Sequence, residues 1–125
     1  MAGTLVANTI NTDTGIFTSN NAYLGIAKAW VYFSVSGTTP TVQNSFNVSS
    51  ITYNGTGDYT ATFTTAMPNA YSVGAGFARV SGNGGVIAGV NNTTFTTTTY
   101  RFGILNASGG GSDPLYAGVV IFNQG

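Results

Sequence analysis

The sequence predicts an all-β fold: a jelly-roll-like β-sandwich of about eight antiparallel strands behind a short N-terminal arm. Three observations predict it. Thr and Tyr, which favour strands, recur throughout, while 18 glycines and many asparagines supply turns and depress helix. Apolar and polar residues alternate over short stretches, as strands with one buried face require. Clusters of Gly, Asn, Ser and Pro separate these stretches at short intervals, and no repeat of roughly 20–50 residues suggests a solenoid or propeller.

Residues 1–27 form the arm, polar with sparse apolar residues such as Leu5, Val6, Ile10 and Phe17. Tyr23, Ala27 and Trp30 share a helical face after Asn20–Asn21, but Gly25 in the middle argues against a helix there. From Lys28 the alternation strengthens. Val31, Phe33 and Val35 point one way and Trp30, Tyr32 and Ser34 the other, until Gly37 to Pro40 ends the strand. Ile51 and Tyr53 alternate into Asn54-Gly55-Thr56-Gly57-Asp58, and Tyr59, Ala61 and Phe63 alternate out. This is a hairpin signal.

Met67-Pro68-Asn69 turns the chain into a strand with Tyr71, Val73, Ala75 and Phe77 on one face and Ser72, Gly74 and Gly76 on the other. The glycine face is expected to meet a close neighbouring backbone or subunit. Gly82 to Gly85 should form the next turn, followed by Val86 to Val90 and by a threonine-rich stretch from Thr93 to Ile104. Gly109 to Pro114 reads as a flexible loop. Tyr116 to Phe122 closes residues 28–125, the sandwich domain, as a strongly apolar strand.

Charge excludes several functions. Only Asp13, Asp58, Asp113, Lys28, Arg79 and Arg101 are charged, 5% of the chain with a net charge of zero, where a typical soluble domain has roughly 25%. Three scattered cations cannot neutralise the phosphates that nucleic-acid binding requires. No run approaches the ~20 apolar residues of a membrane span, and a basic start followed by an apolar stretch, the mark of a signal peptide, is missing. A neutral, charge-poor surface is colloidally poor for a lone monomer and suits one buried against copies of itself or against a scaffold. Five Asn-x-Ser/Thr triplets, at Asn47, Asn54, Asn91, Asn92 and Asn106, match the frequency of Asn and Thr here and read as accidental.

Catalytic chemistry is scarce. Without His or Cys there is no His-dependent triad, thiol nucleophile or ordinary zinc site. The three Asp lie in turn-like contexts, Asp58 beside Gly57 and Asp113 before Pro114, and read as turn-shaping residues rather than a glycosidase pair. Asn11-Thr12-Asp13-Thr14-Gly15 has the alternating oxygens of a calcium loop, but the chain contains no Glu to complete one. Gly74-x-Gly76 lacks the rest of a nucleotide fingerprint. The threonine pairs from Thr60 to Thr64 and Thr94 to Thr99 are too irregular for an ice-binding array, and Lys28 as an isopeptide donor is outweighed by an ordinary strand-end lysine. Neither cofactor nor metal is expected. Candidate surface contacts are aromatic: Trp30 and Tyr32 opposite Val31 and Phe33, and Tyr53 and Tyr59 flanking the hairpin turn.

Lys28-Ala29-Trp30-Val31-x-Phe33, the block Ser45-Phe46-Asn47-Val48-Ser49-Ser50-Ile51-Thr52-x-Asn54-Gly55-Thr56-Gly57-Asp58-Tyr59-Thr60, then Phe63 to Pro68 and the closing Val120-Ile121-Phe122, resemble a module of tailed-bacteriophage virion proteins. It occurs in tail fibres, tailspikes and decoration proteins. The resemblance spans Lys28 to Gly125, departs from the module at Ser34 to Val42 and does not extend to the Thr93–Thr99 tract. It implies a non-enzymatic homotrimer in the virion. The expected function is a capsid cement (decoration) protein on the outer head surface, with the major capsid protein or other virion proteins as its further partners. The alternative is the receptor-binding tip of a tail fibre or tailspike that contacts a host surface glycan. Residues 1–27 show no heptad or shaft repeat, which favours the first. Leu5, Val6, Ile10 and Phe17 are the candidate docking residues of the arm, and an arm that instead supplies the first strands of the sandwich is the competing expectation.

Overall fold

The computed structural model describes residues 3–4, 6–12, 15–89 and 96–124; for those between 10 and 21, and at 83, 84, 86, 88 and 89, it describes the backbone alone. The β-sandwich expected from the sequence is what forms. Strands β1 (Thr9–Thr12) and β2 (Gly15–Thr18) precede a short helix, α1 (Ser19–Gly25). Then follow β3 (Ala29–Ser36), β4 (Thr39–Phe46), β5 (Val48–Gly55), β6 (Asp58–Phe63), β7 (Ser72–Val80), β8 (Asn83–Gly89), β9 (Thr99–Leu105) and β10 (Pro114–Asn123). The sequence argued against a helix, but Gly25 is its last residue and not its middle. Glycine costs little at a helix end, where it is a common terminator.

β1 and β2 pair only with each other, while the other eight strands form one antiparallel ladder in the order β4-β3-β10-β7-β8-β9-β6-β5. The ladder folds over on itself. Phe33 of β3 lies 5.6 Å from the Tyr59 ring of β6 and 6.0 Å from the Phe102 ring of β9, although β10, β7 and β8 separate these strands in the ladder. The layer β4-β3-β10-β7 therefore faces β9-β6-β5, and β8 carries the chain between them. Alternate residues point inward and fill the space between the layers. Ala29, Val31 and Phe33, then Tyr59, Ala61 and Phe63, then Ala117, Val119 and Ile121 are all buried.

Asn47 makes the corner between the two ends of the ladder. It alone links β4 to β5, with φ at 54° in the left-handed region that Asn tolerates better than most residues. Its Nδ2 donates to the carbonyls of Lys28 and Thr65, both at 3.1 Å, and its Oδ1 accepts from the Thr65 N–H at 2.7 Å. With its amide held this way, Asn47 is a structural corner.

Turn positions differ in detail from the sequence reading. The hairpin β5–β6 closes on Thr56-Gly57, since Gly55 pairs with Asp58, and Asn54 sits at a register shift. The turn between β7 and β8 is Ser81-Gly82, ahead of the predicted Gly82–Gly85. The stretch Gly109–Pro114 is pinned rather than flexible. Ser112 N–H donates to the Ile104 carbonyl at 3.0 Å, and Asp113 Oδ1 accepts from Gly57 N–H at 2.9 Å and Tyr59 OH at 2.8 Å. Asp113 is thus a bracket between this loop and the hairpin, a tie across 54 to 56 positions of sequence that local turn chemistry cannot reveal.

Candidate functional site

Antiparallel partners share a face, so the register fixes what the outer surface of β4-β3-β10-β7 displays. One row runs Phe46, Trp30, Val120, Ala75; the next runs Asn44, Tyr32, Gly118, Phe77; Phe122 and Val73 pair beyond the first row. These side chains point away from the core. Val73 is 70% exposed, Phe46 and Phe77 are each 54% exposed, and Tyr71, just before β7, is 85% exposed. Arg79, at the end of β7, is the only charged residue whose pairing places it on this face among the described residues.

The glycines of β7 explain the arrangement. A Cβ on Gly74 would lie 2.5 Å from the Tyr100 hydroxyl, and one on Gly76 would lie 2.2 Å from the Gly118 carbonyl and 2.9 Å from Ile87 Cδ1. The small residues therefore face inward, where side chains from the opposite layer need the room. Their larger alternates, Tyr71, Val73 and Phe77, are left outside. The close neighbour expected at the glycine face is the chain's own core and not a second subunit.

Outside, the Tyr32 ring lies 6.4 Å from Phe77 and 6.2 Å from Tyr116, an aromatic cluster over the bare Gly118 backbone. A shallow furrow of about 190 Å³ runs beside it, walled by Trp30, Tyr32, Phe77 and Val120. At the end of the same layer, Tyr71 borders a recess of about 380 Å³ together with Asn69, Asn123, Gln124 and Leu24. Asn123 is 3% exposed and donates through Nδ2 to the Asn69 carbonyl at 3.0 Å and Ser72 Oγ at 3.0 Å.

The opposite outer surface has another character. On β5, β6 and β9 the outward partners are Ser50, Thr62 and Thr99 in one row and Thr52, Thr60 and Arg101 in the next. Asp58 closes the β5–β6 hairpin opposite Gly55, as its place beside Gly57 suggested, and it also carries an ion pair that the sequence reading did not foresee. It accepts from Arg101 Nε at 2.8 Å and from Asn54, because β6 pairs with β9 and brings the two charges side by side. The Arg101 hydrogen bond holds the Asp58 carboxyl below the usual carboxylate range.

Of the aromatic contacts predicted from sequence, Tyr32 and the half-buried Trp30 lie on the outer apolar face. Tyr59 does not. It is fully buried against Phe33 and Phe102, because odd-numbered residues of β6 face the core, and burial together with its bond to Asp113 pushes its hydroxyl well above the ordinary phenol value. Tyr53 is half-buried, edge-on to Tyr59, and reaches Asp113 through its hydroxyl. Both are core aromatics.

Within the arm, Val6 is 88% exposed; Leu5, and the side chains of Ile10 and Phe17, lie outside the described residues, as do Asp13 of the calcium-like stretch and Asn91, Asn92 and Thr93 to Phe95. Lys28 sits 3.6 Å from the Tyr23 ring centroid and donates to the Tyr23 carbonyl, an ordinary cation–aromatic contact.

Phe46, Tyr71, Val73, Phe77 and Val120 were missed as outer-face residues. One signal was present. An unbroken apolar run such as Val119 to Phe122 marks a strand apolar on both faces, so its neighbours were bound to continue an apolar surface outward. Among the described residues no three His, Cys, Asp or Glu gather to hold a metal, and no helix is long and apolar enough to cross a membrane. Comparison with known protein families, with curated proteins and with solved structures gives no match to the chain.

Proposed function

We propose that the chain is a non-enzymatic structural protein of a tailed-bacteriophage virion, a homotrimeric cement protein on the outer surface of the head. The observation that carries this reading is the two-sidedness of the sandwich. One outer face is aromatic and aliphatic, suited to burial against protein; the other is a lawn of Ser and Thr suited to water. The described carboxylates are engaged elsewhere, Asp58 with Arg101 and Asp113 with the hairpin, so neither is poised toward a cleft. The resemblance of residues 28–125 to a virion module supplies the setting.

A second reading, the glycan-binding tip of a tail fibre or spike, is favoured by the recess in which Tyr71 stands beside three amide side chains. An aromatic face with amide donors and acceptors is the chemistry that holds neutral sugars. Gold-labelled antibody against the chain, applied to virions that carry it, decides between them. Label over the head surface is the expected result; label at the tail tip supports the second reading, and virions without label sink both.

Docking to the head is assigned to the arm. Its strands β1 and β2 pair with each other and add nothing to the eight-stranded ladder, so deletion of residues 2–17 is expected to leave folding and self-association intact while abolishing attachment to heads. Loss of the cooperative melt in that variant would place the arm in the folding unit and overturn the assignment.

A further inference from the structure

We infer that the outer face of β4-β3-β10-β7 is the surface through which copies of this chain associate, with Val73, Phe77, Phe46 and Tyr32 at the contact. The inference rests on the proposed homotrimeric reading and specifies the partner of that face: a second copy of the chain, not the head surface or a host molecule.

Area argues for a protein partner. With about 150–250 Å² offered by each aromatic side chain, the exposed fractions of Tyr71, Phe77, Phe46 and Tyr32 amount to roughly 350–580 Å², and Val73 and Val120 add to it. That reaches the upper end of the ~300–600 Å² largest patch of an ordinary monomer. It is also most of the ~800 Å² per partner that a stable complex buries, before the rims of Trp30, Tyr116 and Phe122 are counted.

Charge narrows the partner to a copy. Among the described residues the strand pairings place one charge on this face, Arg79 at its border, and Lys28, just before β3, is held by Tyr23, so the face offers little to steer an acidic or basic partner. Meeting its own kind, it lays apolar rows against apolar rows and leaves Arg79 at the border. Depletion of charge with enrichment of aromatics is the composition of an interface core. The shape fits as well. The furrow between Trp30, Tyr32, Phe77 and Val120 can receive a projecting ring, and Phe46 and Tyr71 project from the margins of the same face. The contrast with the Ser and Thr face of the other layer shows that this chain does not expose apolar side chains indiscriminately.

The test is sedimentation of the full chain at micromolar concentration, beside Val73→Asp and, as a second variant, Phe46→Asp. Both sites are more than half exposed, so neither carboxylate enters the core; far-UV circular dichroism checks the fold. Thr62→Asp, on the polar face, is the control. The expected result is an oligomeric wild type and control, with both apolar-face variants reduced to the mass of a single chain, a shift of at least tenfold in the association constant. An oligomeric wild type whose apolar-face variants keep their mass overturns this assignment while leaving the trimer standing. A monomeric wild type removes both, and means that the face serves a different partner.

Discussion

Gly57→Val is expected to prevent folding, at a cost above about 4 kcal/mol, the range reserved for changes that the surrounding structure cannot absorb. Two causes combine. Gly57 adopts φ 70°, where a β-branched residue is a steric outlier. A Cβ there would also lie 2.4 Å from the Ile104 carbonyl, 2.6 Å from Ser112 N and 2.9 Å from Gly111 Cα. All three are backbone atoms, the first in β9 and the other two in the β9–β10 connection, so no side chain can swing aside. Moving them would break the Ile104 N–H bond to the Gly57 carbonyl, at 2.8 Å, and the grip of Asp113 on the hairpin. Gly55→Val is the internal comparison. Gly55 has an ordinary negative φ and open space where its Cβ would be, so its replacement is expected to shift stability by less than about 1 kcal/mol. Circular dichroism melts of the two variants read the difference directly, and near-equal melting temperatures would show that the hairpin does not press on the loop as described.

Phe33→Ala is expected to destabilise by about 3–5 kcal/mol, the usual cost of emptying a large aromatic site in a core. Phe33 is fully buried where the two layers meet, with Tyr59 and Phe102 as ring neighbours. Its loss removes the contact that joins β3 to β6 and β9, strands the ladder does not connect. For a domain of this length the melting temperature should fall by on the order of 10–20 °C. Ser36→Ala, at the exposed end of the same strand, should change stability by less than about 0.5 kcal/mol. Urea titration measures both, and a Phe33 variant within about 1 kcal/mol of wild type would mean that the layers are held by other contacts.

Much of the fold was legible locally. Alternation located the inward set of β3, where Val31 and Phe33 are buried, and the outward set, where Tyr32 is exposed. The hairpin was found from its glycines, although the turn itself lies at Thr56-Gly57 and only Gly57 of the two has a positive φ. For β7 alternation gave the two faces, but the more apolar one is not the core face. Hydrophobicity alone favours burying Tyr71, Val73 and Phe77; space forbids it, because Tyr100 and Ile87 already occupy that side and at positions 74 and 76 only Gly leaves room. The candidate site was hidden for the same reason. Its rows join residues from four strands distant in sequence, and no window along the chain contains both Phe46 and Val120.

The sequence by itself determined the class of the molecule. Its scarcity of charge, its strand-favouring Thr and Tyr and its punctuating Gly and Asn permit little other than antiparallel β-structure, since these are properties of residues and their immediate neighbours. Tertiary structure alone decided which face of β7 is inside, which tyrosines are core and which are surface, and what Asp113 and Asn47 hold. Those outcomes depend on pairings across tens of residues and on the volume left by the opposite layer. The same strand, Ser72 to Val80, shows both levels. Its alternation fixes two faces, and only the rings and backbone packed against it determine which one meets water.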